Sequence, residues 1–185
     1  SAAGANALNM WLERDRDAFM RRTHARPLPA GRLNDPVVLW SGIAFSVIGV
    51  AVLWALAGLV PAVLGAACVL IYVGVYTPMK PMTVLNTLVG TVPGALPPMI
   101  GAAAITQGTY AEQLLAPAGV ALFLLMTVWQ IPHFLAIAWM YREDYARGGF
   151  RMLPACDPSG RLTAQASLAG SVLLIPVALG LTLVG

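Results

Sequence analysis

The sequence predicts an all-α fold, a polytopic bundle of membrane-spanning helices, and three observations carry that expectation. The 185-residue chain is 58% hydrophobic and only 10% charged, where a soluble domain carries about 25% charged residues; its mean hydropathy is +0.75. Five apolar stretches come close to or exceed the roughly 20 residues that cross a bilayer as a helix. The charges are also segregated, since all 11 Lys and Arg fall within residues 14–32, at Lys80, or within 142–161.

In chain order, residues 1–12 read as the tail of an earlier span. The chain begins without Met and ends inside an apolar run, so we expect a fragment: one transmembrane domain over residues 1–185, incomplete at both ends. The lack of a leader peptide then carries no information. Glu13 to Leu33 concentrates charge, with six arginines, three carboxylates and His24. Spans follow at about 37–57, 61–77, 83–105, 114–140 and 164–185, giving about five full spans plus the end of one more. The turns near 58–61 and 105–113 hold no Lys or Arg. Two return trips therefore bring the three basic stretches to one face, which the positive-inside rule makes cytoplasmic. Seven of the 8 acidic residues share that face, Glu112 being the exception. The net charge of +3 is thus a topology signal and points to no nucleic-acid partner. Abundant Ala, Gly and Arg with a single Lys suggest a GC-rich bacterial genome, and the inner (plasma) membrane as location. Cys68 and Cys156 have neither CxxC nor Cys/His zinc spacing, and Cys68 reads as a small packing residue.

Chemistry gathers at two places. Asn9, Glu13 and Asp17 lie at i, i+4 and i+8, a spacing that drifts about 40° per step and puts all three on one helix face. Two carboxylates and a carboxamide make a hard-oxygen surface of the kind Mg²⁺ shares with substrate phosphates and waters. Asp15 points elsewhere. Arg21, Arg22 and Arg26 follow, and a guanidinium binds phosphate through paired hydrogen bonds. A metal-bridged diphosphate is the ligand these residue types suit, although a solvated, positive-inside loop has the same composition. Arg32 reads better as such a loop residue.

The second place is residues 129–154. His133, behind Pro132 in the body of a span, is an intramembrane ionisable group and so a functional candidate; it could equally satisfy a carbonyl that Pro132 frees. Gln130 is a weaker case. Arg142, Glu143, Asp144 and Tyr145 lie where the span reaches the charged face, as a second metal site, the far side of a diphosphate site, or an ordinary helix-end cluster. Gly148, Gly149 and Pro154 predict a turned or lid-like loop. Lys80, between Pro78 and Pro81, reads as a phosphate contact or a topology anchor. Asn86 opens a stretch with Pro93, Pro97 and Pro98, expected as a broken helix that lines a pocket or packs its neighbours.

Taken together, these residues resemble the UbiA prenyltransferase superfamily and, within it, the protoheme IX farnesyltransferase (heme O synthase) subfamily. The resemblance rests on Asn9-x-x-x-Glu13-x-x-x-Asp17 with Met20-x-Arg22-Thr23-x-x-Arg26-Pro27-Leu28, then Tyr76-Thr77-Pro78-Met79-Lys80. Gly94-Ala95-x-Pro97-Pro98-x-x-Gly101, Trp129-Gln130-x-Pro132-His133-Phe134 and Arg142-x-Asp144-Tyr145 with Met152-Leu153-Pro154 complete it. It implies a nine-span bundle around a cavity open to lipid, of which this chain would hold the end of the second span through the seventh. It also implies Mg²⁺-dependent transfer of a farnesyl group from farnesyl diphosphate to a vinyl group of heme b, giving heme O for heme-copper oxidases. Asn9, Glu13 and Asp17 would hold one metal, with Asp144 and Glu143 at a second. Arg22, Arg26, Lys80 and Arg142 would bind phosphate, Asn86 and Tyr145 would line the site, and His133 would ligate or orient heme. Heme A synthase or oxidase assembly proteins would be partners. Met10 in place of Asp, and Arg142-Glu143-Asp144-Tyr145 in place of D-x-x-x-D, depart from the quinone-type members. A quinone-precursor prenyltransferase and a non-catalytic heme carrier are the alternatives.

Overall fold

The computed structural model describes residues 1–183, and these are helical with no strand among them. Helix α1 (Ala2–Asp17) leads into turns through Leu33, and α2 (Asp35–Ala57) is the first long apolar helix. A second rod is continuous through α3 (Leu59–Leu70), a π-helical stretch (Ile71–Tyr76) and the short α4 (Thr77–Met79). Next come α5 (Asn86–Ile105), α6 (Tyr110–Leu114), α7 (Pro117–Met140), α8 (Arg142–Arg147), α9 (Leu153–Cys156) and α10 (Arg161–Gly180). Five helical segments are long and apolar enough to cross a membrane, so the chain is a multi-pass membrane protein. Each predicted span has its helix. The predicted 164–185 begins earlier, at Arg161, and its last two residues lie outside those described.

Boundaries follow local chemistry. Gly58, at φ +98, ends α2 and lets α3 start two residues before the predicted 61. Pro117 occupies the first turn of α7, where its missing N–H costs nothing. Glu112, the lone acid on its side, closes a capping box. It accepts from the Thr109 N–H at 2.6 Å, and its own N–H donates to Thr109 Oγ1 at 3.3 Å.

Each span packs on its neighbour in sequence, α1 on α2, α2 on α3, α3 on α5, α5 on α7 and α7 on α10. Small residues set the closest approach: a Cβ on Gly4 of α1 would stand 2.4 Å from Ser46 Oγ of α2. The outward faces stay apolar, with Trp40 and Trp54 exposed near the two ends of α2 where interfacial aromatics belong.

The expected break in 83–105 is absent. Helix α5 runs unbroken through Pro93, Pro97 and Pro98, and neighbouring helices bond to its main chain. Pro97 has no N–H for the Pro93 carbonyl, and Cys68 Sγ donates to that carbonyl at 3.2 Å. Gln130 Nε2 of α7 donates to the Thr91 carbonyl at 3.3 Å and to Met126 O at 2.9 Å. Cys68 and Gln130 thus stitch α5 to the helices on either side.

Candidate functional site

The last turns of α1, the top of the π-helical rod and the loops after α1 and α8 converge on one polar cavity of about 180 Å³. Asn9, Glu13 and Asp17 form one wall and are all buried, as their spacing predicts. Tyr72, Tyr76 and Lys80, again at i, i+4 and i+8, form the facing wall. Asn9 Nδ2 donates to Thr77 Oγ1 at 3.0 Å, which turns its carboxamide into a bridge between the two ladders.

Charges meet in pairs. Lys80 Nζ stands 2.8 Å from Glu13 Oε1, a close ion pair. Arg26 Nη1 donates to Asp17 Oδ2 at 2.6 Å. The other oxygen, Asp17 Oδ1, is buried without a donor among the described residues. Arg22 leans on aromatic groups instead. Its Nη2 donates to Tyr145 Oη at 3.2 Å, and its guanidinium lies 4.7 Å from the Tyr141 ring centroid. The lining therefore holds three cations against two carboxylates.

The segment from α8 to α9 folds over this cavity and is strapped down by main-chain bonds. Arg151 N–H donates to the Lys80 carbonyl at 2.7 Å, and Asn86 Nδ2 donates to the Arg151 carbonyl at 3.0 Å. Arg16 Nη1 donates to the carbonyls of Gly148 and Gly149, both at 3.1 Å. Gly149 sits at φ +68, which suits glycine. This brings Phe150 and Met152 into the cavity wall beside Met20. A turned, covering loop was expected from the glycines; its apolar lining residues were not.

Asp144 is placed differently from its neighbours in the motif. It does not line the cavity. Oδ1 accepts from the Arg21 N–H and Oδ2 from the Arg22 N–H, both at 3.2 Å, and Arg147 braces Oδ1. Burial by itself would raise its pKa, but those two N–H groups and Arg147 outweigh it and hold the carboxyl below the usual carboxylate range. Glu143 and Arg142 border a separate surface groove with Arg21 and Asp144. Arg142 donates to the Trp139 carbonyl at 3.3 Å. Asn86, with no exposed surface, anchors the strap rather than lining the cavity. His133 lies on the exposed face of α7, its ring stacked on Trp129 at 4.7 Å between centroids. Tyr145 lines the cavity as expected.

These residues fit a hard divalent cation. A buried Asp17 oxygen without a donor, the Glu13 carboxylate and a carboxamide oxygen on one face are the donor set Mg²⁺ uses when phosphates and waters complete its shell. Among the described residues, no three His, Cys, Asp or Glu side chains converge, so one metal beside Asn9, Glu13 and Asp17 fits better than an all-protein cage. Alongside lies a second cavity of about 490 Å³ that shares Asn9, Arg26 and Tyr72 and continues past Asn6 and Met10. A larger groove between α2 and α3, about 560 Å³, is apolar apart from Ser46 and holds no reactive group.

Comparison with known proteins gives the family. The model for the UbiA prenyltransferase family matches residues 1–185. A protoheme IX farnesyltransferase of Solibacter usitatus is 46% identical over 184 residues, 100% of this chain and 61% of that protein. One from Anaeromyxobacter dehalogenans is 45% identical over 98% of this chain and 59% of its own length. The mitochondrial protoheme IX farnesyltransferase of Arabidopsis thaliana is 41% identical over 95% of this chain and 39% of its own. The chain thus spans about three fifths of the length of the bacterial relatives it matches. No solved structure matches it significantly.

Proposed function

The chain belongs to the UbiA prenyltransferase family, and from that premise we propose that the protein transfers a farnesyl group from farnesyl diphosphate to a vinyl group of heme b, making heme O. The observation that carries this reading is the cavity where Asn9, Glu13 and Asp17 face Arg22, Arg26 and Lys80 at the polar end of apolar helices. The names of the relatives supply the acceptor.

In this reading Asn9, Glu13 and Asp17 hold Mg²⁺. The bound cation supplies positive charge to the diphosphate as it leaves. Lys80, Arg22 and Arg26 bind the phosphate oxygens and stabilise the negative charge that grows on them. The carbon–oxygen bond to diphosphate breaks with both electrons going to oxygen. The terminal vinyl carbon of heme b then attacks the allylic cation, and water adds to the resulting benzylic-type cation and loses a proton. The products are pyrophosphate and a hydroxyethylfarnesyl porphyrin. Phe150, Met152 and Met20 keep bulk water from the cation while the strap is closed. Asp144 acts through the main chain, fixing the turn that carries Arg21 and Arg22. His133, open on α7 beside Trp129, is the group available to ligate or orient heme. The site faces the cytoplasm of a bacterial inner membrane, and heme A synthase or oxidase assembly proteins are the natural recipients of the product.

The test is mass spectrometry of hemes extracted from membranes expressing the full-length protein and its Asp17→Asn variant. Heme O is expected from the first and at most about a hundredth as much from the second. Heme b alone, with the protein present, would turn the reading toward a quinone-type acceptor or a carrier. Near-normal heme O from the variant would remove Asp17 from the site.

A further inference from the structure

The groups assigned to metal and the groups assigned to phosphate are already bonded to each other. Glu13 is buried and Lys80 largely so, with side chains 7% and 13% exposed and 2.8 Å between charges. Arg26 reaches 2.6 Å from Asp17, whose side chain is 1% exposed. We infer that Lys80 and Arg26 are exchangeable internal counter-ions of Glu13 and Asp17, so that the pocket takes a divalent cation and a diphosphate together and resists either alone. The inference rests on the diphosphate-binding reading above and deepens it.

The argument is one of buried charge. A divalent cation arriving alone must crowd against, or displace, two positive side chains from the carboxylates they neutralise. A diphosphate arriving alone must draw Lys80 and Arg26 away and leave two buried carboxylates unpaired, and stripping one partner from a buried pair is strongly destabilising. When both ligands arrive, the four partners exchange: carboxylates turn to the metal, cations to the phosphates, and no charge is left bare. The starting position for the metal is visible at Asp17 Oδ1, which is buried and lacks a hydrogen-bond donor among the described residues. Arg22, held by Tyr145 and the aromatic rings rather than by a carboxylate, can take a phosphate oxygen without breaking an ion pair. By linkage, whatever factor the metal adds to diphosphate affinity, diphosphate adds to metal affinity.

The experiment uses the full-length protein in nanodiscs, with Mn²⁺ followed by electron paramagnetic resonance and pyrophosphate by calorimetry. Wild type should bind Mn²⁺ weakly when pyrophosphate is absent. Lys80→Met should tighten Mn²⁺ binding in its absence by about tenfold or more, while weakening pyrophosphate binding in the presence of Mg²⁺. Arg26→Gln, at a side chain 38% exposed, tests the same exchange at Asp17 should the Lys80 variant fail to fold. Chelation of metal by pyrophosphate in solution is common to all proteins and drops out of their ratios. Mn²⁺ affinity unchanged in the folded variants, with pyrophosphate still binding to wild type, would overturn the exchange alone. Wild type binding no pyrophosphate, with or without metal, would overturn the diphosphate reading and the exchange with it.

Discussion

Gly90→Ala should damage catalysis from a position that touches no ligand. Gly90 is buried on α5, and a Cβ there would stand 2.6 Å from Cε2, 3.0 Å from Cδ2 and 3.1 Å from Cζ of Tyr76. Carbon atoms prefer about 3.5–4.0 Å, so the ring must retreat by about 1 Å. Overpacking of this kind costs about 1–3 kcal/mol. The ring is not free to retreat harmlessly. It forms the cavity wall and lies 4.7 Å from Lys80 Nζ, which pairs with Glu13. A displacement of 1 Å passed to a reacting geometry can cost about 100-fold in rate. Extracted heme O would report turnover, and thermal unfolding in detergent would report stability. Tyr76→Leu removes the clashing ring, and adding it to Gly90→Ala should restore part of the lost stability, a coupling of about 0.5–3 kcal/mol. Gly90→Ala with wild-type turnover and wild-type unfolding would show that Tyr76 does not sit against α5 as described.

Asp144→Ala should leave Mn²⁺ stoichiometry unchanged yet speed amide exchange at Arg21 and Arg22 by about fivefold or more, the worth of one net hydrogen bond of ~1 kcal/mol; loss of a bound Mn²⁺ would make Asp144 a metal ligand instead. His133→Ala should weaken heme binding while pyrophosphate binding is kept, and unchanged heme affinity would end its ligand role. Asp157 carries a pH dependence. The Thr163 N–H at 2.8 Å, helped by the Ser159 and Thr163 hydroxyls against the opposing effect of burial, holds its carboxyl below the usual range. A lowered folded value means its support for the start of α10 is complete above the unfolded value of about 3.9 and is lost as pH falls through the folded one. Amide protection at Thr163 should therefore differ between wild type and Asp157→Asn at pH 6 to 7, begin to converge below about pH 4 and meet once pH is below the folded value; a difference that persists in strong acid would refute this.

The spans and the meeting of the three basic stretches were legible because hydropathy and charge act residue by residue. The Asn9–Glu13–Asp17 ladder was legible because helical spacing alone puts three polar groups on one face. Tyr72 and Phe150 were not, since an aromatic or apolar wall residue looks like any other in a chain this greasy, and Tyr76 and Met152 stood in the motifs without a wall role of their own. The matching period of Tyr72, Tyr76 and Lys80 was a further available signal. Asp144 shows a deeper limit: its partners are the N–H groups of Arg21 and Arg22, and backbone donors leave no trace in composition. The prolines of α5 predicted a break because sequence shows the N–H that Pro97 lacks, but not the Cys68 thiol that answers it.

The widened turns between Ile71 and Tyr76 have a mechanical meaning. Residues 60, 64, 68, 72, 76 and 80 recur every fourth position, and in an unbroken α-helix such a row would wind about 200° around the rod from end to end. The looser π winding takes back part of that rotation. Val60, Leu64 and Cys68 press against α5 in the greasy half, while Tyr72, Tyr76 and Lys80 line the cavity in the charged half. The rod works as a phase shifter, converting a packing stripe into a reactive one. Its azimuth deep in the bilayer is thereby geared to the aim of a single ammonium group at the water's edge.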